Sequence, residues 1–143
     1  GQIVLSGEIN AIEFISENAK SLNIRRAIKL PVSAPFHCEL MRNAAQILQV
    51  EINKINFNKF NADLYSNVTS IKCTENEIAQ LLIDQVVSIV KWREIMQNMI
   101  IDGYSKFIEI GPGNVLTNLI KRTSKNIHAF SISKIEDLKK LEK

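Results

Sequence analysis

Short apolar segments with a period of two alternate along this 143-residue chain with stretches whose apolar residues recur every three or four positions. That alternation restricts the fold more than any composition figure, because a period of two asks for a sheet and a period of 3.6 for a helix packed on it. Residues 2–5 predict a short strand, and Ile12, Ile15, Ala19 and Leu22 predict the helix after it. Arg26 to Val32 sets Ile28, Leu30 and Val32 on one face with Lys29 opposite, a second strand. A helix is expected from Glu39 to about Lys54 and a strand from Asp63 to Val68. Thr74 and Glu77 then have capping-box spacing ahead of a helix carrying Ile78, Leu81, Leu82 and Gln85. Trp92, Ile95, Met96 and Met99 form the core stripe of another helix that ends near Gly103. Phe107, Ile108 and Ile110 predict a buried strand, which Gly111-Pro112-Gly113 turns sharply into a helix bearing Val115, Leu116, Leu119 and Ile120. A last strand, Ile127 to Ile132, leads to Ser133 and Glu136, a second pair with capping-box spacing. The pattern reads as an α/β fold with a largely parallel sheet.

A hydrophobic fraction of 45% gives a chain of this length a real core, so disorder is a poor description of it. Its longest apolar runs fall far short of a bilayer span, and it opens on Gly-Gln-Ile-Val without a signal-like segment. The expectation is a cytoplasmic chain with no membrane partner, either entire or a piece of a longer one. Cys38 and Cys73 have neither metal-ligand spacing nor disulfide-scaffold density, which fits reduced thiols. A net charge of +3 falls short of a nucleic-acid footprint, and the 6% of aromatic residues are not interleaved with basic clusters. Nucleic acid is therefore not an expected partner.

Chemistry concentrates at Pro35-Phe36-His37, where one of two histidines lies on a loop between an extended segment and an amphipathic helix. A loop-borne imidazole in that place suits a general base that activates a serine. Cys38 adjoins it, but consecutive side chains diverge, whereas a nucleophile and its base must converge. Cys73 precedes a helix, a position that lowers a thiol pKa, yet nothing else gives it a mechanism. His128 alternates into an apolar strand and reads as structural. The turn at Gly111-Pro112-Gly113 lacks the lysine and hydroxyl of a phosphate-binding loop and reads as a plain turn. Gln85 is by default a solvent-facing helix residue, although near a helix end its backbone carbonyl is placed to orient an imidazole. The chain thus offers a base and no nucleophile.

Several segments in order resemble one family. They are Gly-Gln-Ile-Val-Leu-Ser-Gly at 1–7, Leu-Pro-Val-Ser-Ala-Pro-Phe-His at 30–37, Tyr-Ser-Asn-Val at 65–68, Val-Lys-Trp at 90–92, and Ile-Glu-Ile-Gly-Pro-Gly-Asn-Val-Leu-Thr-Asn-Leu-Ile-Lys-Arg at 108–122. Together they resemble the C-terminal half of the malonyl-CoA:acyl carrier protein transacylases and, more distantly, the acyltransferase domains of polyketide and fatty-acid synthases. The resemblance implies the C-terminal portion of a hydrolase-like α/β large domain with a parallel sheet, at 34–143. Residues 1–33 would then end an inserted ferredoxin-like small domain.

The resemblance further implies transfer of malonyl from malonyl-CoA to the phosphopantetheine thiol of acyl carrier protein in fatty-acid biosynthesis. His37 would be the general base, Gln85 the residue whose backbone carbonyl orients it, and Phe36 a bulky flank that favours malonyl. No metal or redox cofactor is implied: the CoA thioester is a substrate, and phosphopantetheine is carried by the partner. The family's Gly-x-Ser-x-Gly elbow does not occur in these residues, nor do its oxyanion-hole segment and malonyl-clamping arginine. The implied partners are malonyl-CoA, acyl carrier protein and the N-terminal half of the enzyme. Ser88-Ile89 stands where the family usually has Asn-Pro. The alternative expectation is a catalytically silent fragment that acts only as a structural or binding partner.

Overall fold

The computed structural model describes residues 2–142, which divide into two compact units, one up to Val90 and one from Lys91 on. In the first unit, α1 (Ile9–Glu17) half-buries Ile12 and Ile15, as the spacing predicts. The flanking segments predicted as strands, 2–5 and 26–32, join no sheet among the described residues. Their apolar side chains are exposed, among them Ile3, Val4, Ile28 and Val32. A period of two creates a strand only when a neighbour supplies the ladder, and no described segment does so here.

A short 3-10 turn, Glu39–Met41, feeds α2 (Arg42–Ile52). Arg42 grips Glu39 through two bonds of 2.7 Å, Nε to Oε1 and Nη2 to Oε2, which ties that turn to the helix start. The predicted strand from Asp63 to Val68 shrinks to β1 (Leu64–Tyr65), paired antiparallel with β2 (Lys72–Cys73). It stops at Ser66 because the Ser66 hydroxyl accepts the Val68 and Thr69 N–H groups, which winds the chain into a loop. Of the capping box expected at Thr74 and Glu77 only the reach-back half forms: Glu77 accepts both the Thr74 N–H and the Thr74 hydroxyl at 2.8 Å, so that hydroxyl is spent as a donor and caps no helix amide. That helix, α3 (Ile78–Asp84), packs on α2. The shared core is Ala45, Ile52 and Ile83, with Leu48, Phe57, Ala79, Leu82, Val86 and Val87 against it.

In the second unit, α4 (Trp92–Ile101) buries Ile95 and Met96 and ends at Gly103, whose φ of 94° reverses the chain. Strand β3 (Lys106–Ile110), helix α5 (Val115–Lys121) and β4 (His128–Ile132) follow, with β3 and β4 paired in parallel, Lys106 opposite His128 and Ile110 opposite Ile132. Helix α5 packs on both strands. The sequence predicts β3 to be buried, but Ile108 and Ile110 are exposed, the latter at 83%. Parallel sheets normally carry cover on both faces, and this pair is packed by α5 while Ile108 and Ile110 stay exposed among the described residues. His128, read as structural, is exposed and rests its ring 5.4 Å from that of Phe130. No helix of the described residues is long and apolar enough to cross a membrane.

The final 3-10 helix, Ile135–Glu142, is capped by Asp137 rather than by Glu136. Asp137 Oδ2 accepts the N–H groups of Ser133 and Lys134 at 3.0 and 3.1 Å. A 3-10 turn has three residues per turn, which brings Asp137, not Glu136, back over those amides. The nearby Lys140 ammonium first, then these amides, hold the Asp137 carboxyl down from 3.8 to about 2. Because the folded pKa lies below the ordinary value, the stabilisation is complete above pH 3.8 and fades as pH falls through about 2. The Ser133 and Lys134 amide resonances should therefore titrate with a midpoint near 2, and that transition should vanish in Asp137→Asn. A midpoint at the ordinary carboxylate value would remove Asp137 as the cap.

Candidate active site

The loop 34–38 is a set of nested turns: Phe36 N–H donates to the Ala34 carbonyl at 3.0 Å, and the Cys38 thiol donates to the Pro35 carbonyl at 3.1 Å. Between them His37 adopts a φ of 62°, in the left-handed region that non-glycine residues enter at a cost. This conformation turns the ring toward the end of α3. His37 Nδ1 lies 2.8 Å from the backbone carbonyl oxygen of Gln85, 48 residues away in sequence.

Gln85 follows the last residue of α3, where carbonyls have no helical N–H to receive. The Val86 and Val87 N–H groups turn back to Ile83 and Asp84 in tightened bonds, which leaves the Gln85 carbonyl free for the ring. A carbonyl only accepts, so Nδ1 carries the proton in this hydrogen bond. In the neutral ring the lone pair is then on Nε2, which meets no hydrogen-bond partner among the described residues. The His37 side chain is exposed, and Gln85 is half-buried. The arrangement is that of an oriented imidazole with one ring nitrogen open to solvent.

Both thiols lie outside it. Cys38 Sγ is committed to the Pro35 carbonyl, as side-chain divergence predicts. Cys73 is buried, and its thiol is pushed up by burial first and then by the Glu77 carboxylate, contrary to the lowering expected from its position before a helix. Phe36, next to His37, is 48% exposed.

The Gly111-Pro112-Gly113 turn, with φ of 139° at Gly111 and 91° at Gly113, leads into an already occupied helix start. The Glu109 carboxylate accepts Leu116 N–H at 3.1 Å and Thr117 N–H at 2.8 Å, which are the amides a phosphate would need. These bonds, Thr117's foremost, hold its carboxyl below the usual range. No group of three His, Cys, Asp or Glu among the described residues is placed to hold a metal ion.

Two residues had no assigned role in the sequence. Glu109 is a half-buried acid before a glycine turn, a signal visible in the period of β3. Asn67, within the Tyr-Ser-Asn-Val segment, donates its Nδ2 to Gln85 Oε1 at 3.2 Å. Nothing in local spacing announces that contact.

No family model matches the chain. It is 38% identical over 139 residues to the malonyl CoA-acyl carrier protein transacylase of Bacillus subtilis, an alignment that takes in 96% of this chain and 44% of that protein. Among solved structures, the malonyl CoA-acyl carrier protein transacylase of Clostridium perfringens matches with a TM-score of 0.87 and 40% identity, over 95% of this chain and 43% of its own. Over nearly its whole length the chain is homologous to malonyl CoA-acyl carrier protein transacylases. It spans less than half the length of these transacylases. A malonyl-transacylase solved in complex with its type II polyketide acyl carrier protein matches with a TM-score of 0.87 and 32% identity, over 92% of this chain and 43% of that one. The transacylase fold thus carries the parallel β3–β4 sheet and the separate β1–β2 hairpin described above.

The left-handed backbone at His37 has a consequence for stability. Glycine adopts that region freely and alanine does not, so in urea unfolding His37→Gly should be more stable than His37→Ala by about 1 kcal/mol. Equal stabilities would mean that the loop relaxes its φ once the ring is gone.

Proposed function

We propose that these residues form the base-bearing part of a malonyl transacylase, which passes malonyl from CoA to the phosphopantetheine thiol of acyl carrier protein. The reading rests on the His37–Gln85 hydrogen bond inside a chain homologous to such enzymes. The serine nucleophile, the oxyanion donors and the malonyl clamp come from sequence beyond the 143 residues, which contain no Gly-x-Ser-x-Gly. Residues 1–33 belong to the inserted small domain and 34–143 to the large one. Phe36 flanks the acyl site and disfavours branched acyl groups. The exposed Ile108 and Ile110 face of the sheet fits cover by the rest of the enzyme.

The chemistry follows from the ring's orientation. His37 Nε2 takes the serine proton as the oxygen attacks the malonyl thioester, and the Gln85 carbonyl steadies the resulting imidazolium through Nδ1–H. Collapse of the tetrahedral intermediate breaks the C–S bond, and Nε2–H returns its proton to the departing CoA thiolate. In the second half-reaction Nε2 takes the proton of the phosphopantetheine thiol, whose sulfur attacks the serine ester. The proton then goes back to the serine oxygen. One base thereby serves both halves of a ping-pong exchange.

In the full-length enzyme, His37→Ala should slow single-turnover serine acylation by about 10² to 10⁴-fold, while thermal melting changes little. An unchanged acylation rate in the folded variant would reject His37 as the base. The 143-residue chain by itself should neither retain a malonyl group nor pass one to acyl carrier protein. Mass spectrometry after incubation with malonyl-CoA checks this, and stable malonylation followed by transfer would contradict it.

A further inference from the structure

Gln85 is held at both of its polar ends. Its backbone carbonyl receives His37 Nδ1, and its side-chain oxygen receives Asn67 Nδ2 at 3.2 Å. The Asn67 end is anchored in turn. Ser66 is 6% exposed, and its hydroxyl accepts the Val68 N–H at 3.1 Å and the Thr69 N–H at 3.4 Å. The Ser66 backbone closes the loop twice, donating to the Ile71 carbonyl at 3.0 Å and accepting the Ser70 N–H at 2.9 Å. Asn67 therefore extends from a backbone whose shape is fixed by bonds on both sides of it.

The Gln85 carbonyl needs such an anchor. Its residue sits at the frayed end of a seven-residue helix, where rotation about Gln85 φ and ψ swings the carbonyl away from the ring. Side chain and carbonyl share one Cα, so a fixed side chain limits that rotation. We propose that Asn67 is a positioning residue of the transacylase reaction: it clamps the Gln85 side chain so that the Gln85 carbonyl stays aimed at His37 Nδ1 and holds the ring in the Nδ1–H tautomer. The proposal rests on the reading of His37 as the base. It accounts for the glutamine's amide, whose only hydrogen-bond partner among the described residues is Asn67, while the chemistry uses its main chain.

Two measurements separate this role from a merely structural one. The first is the His37 tautomer, read from long-range 15N–1H correlations of the 143-residue chain at a pH where the ring is neutral. Asn67→Ala should raise the Nε2–H fraction, the form a free imidazole prefers, and Gln85→Met should do the same from the helix side with the loop intact. The second is turnover in the full-length enzyme. Each variant should lower kcat by roughly two- to tenfold, the size of one ordinary hydrogen bond, with KM for malonyl-CoA unchanged. The double variant should be no slower than either single one, because both remove the same clamp.

An unaltered tautomer in folded Asn67→Ala, or a double variant whose loss is the product of the two single losses, would overturn the proposal. If Asn67→Ala does not fold, Gln85→Met alone decides through the same tautomer readout. A His37→Ala enzyme with full activity would instead defeat the reading of His37 as base, and the tautomer measurement would still judge the clamp by itself.

Discussion

The hydrogen bond from His37 Nδ1 to the Gln85 carbonyl is the constraint around which the rest of the first unit is arranged. It joins a loop ahead of α2 to the residue that ends α3, and each side is prepared for it. On one side, nested turns hold His37 in a left-handed conformation; on the other, tightened final bonds of α3 release the carbonyl. The contact of α2 with α3 through Ala45, Ile52 and Ile83 keeps the two elements together. Apolar packing thereby provides the position, and one polar bond fixes which ring nitrogen carries the proton.

Acceptance by a backbone carbonyl differs chemically from acceptance by a carboxylate, the usual third member of such triads. A carbonyl has no net charge to lose and leaves the tautomer choice to geometry alone. Geometry must then be kept by other means. The loop wound on buried Ser66, which carries Asn67, is a means of that kind, built from neutral groups and insensitive to pH.

Much of the fold was legible in the sequence where a segment satisfies its own requirements. Helices α4 and α5 follow their apolar periods, and Thr74 meets Glu77 ahead of α3 because both partners lie within one turn. Strands were legible only where a partner exists: β3 and β4 pair, whereas 2–5 and 26–32 have the same period and no ladder among the described residues. The end of β1 at Ser66 and the choice of Asp137 over Glu136 turn on side-chain hydrogen bonds that spacing does not encode. At the site, His37 was visible from its loop and its chemistry, and Gln85 from a resemblance to known transacylases. Their contact spans 48 positions, and Asn67 reaches Gln85 across 18, so neither local pattern nor propensity discloses them.

The central claim concerns one proton, on Nδ1 of a neutral His37 and shared with the Gln85 carbonyl. The direct measurement is the scalar coupling across that hydrogen bond, between His37 15Nδ1 and the Gln85 13C carbonyl in uniformly labelled protein. The account predicts a resolvable coupling together with a protonated Nδ1. A ring protonated at Nε2, with no coupling to Gln85, would contradict it.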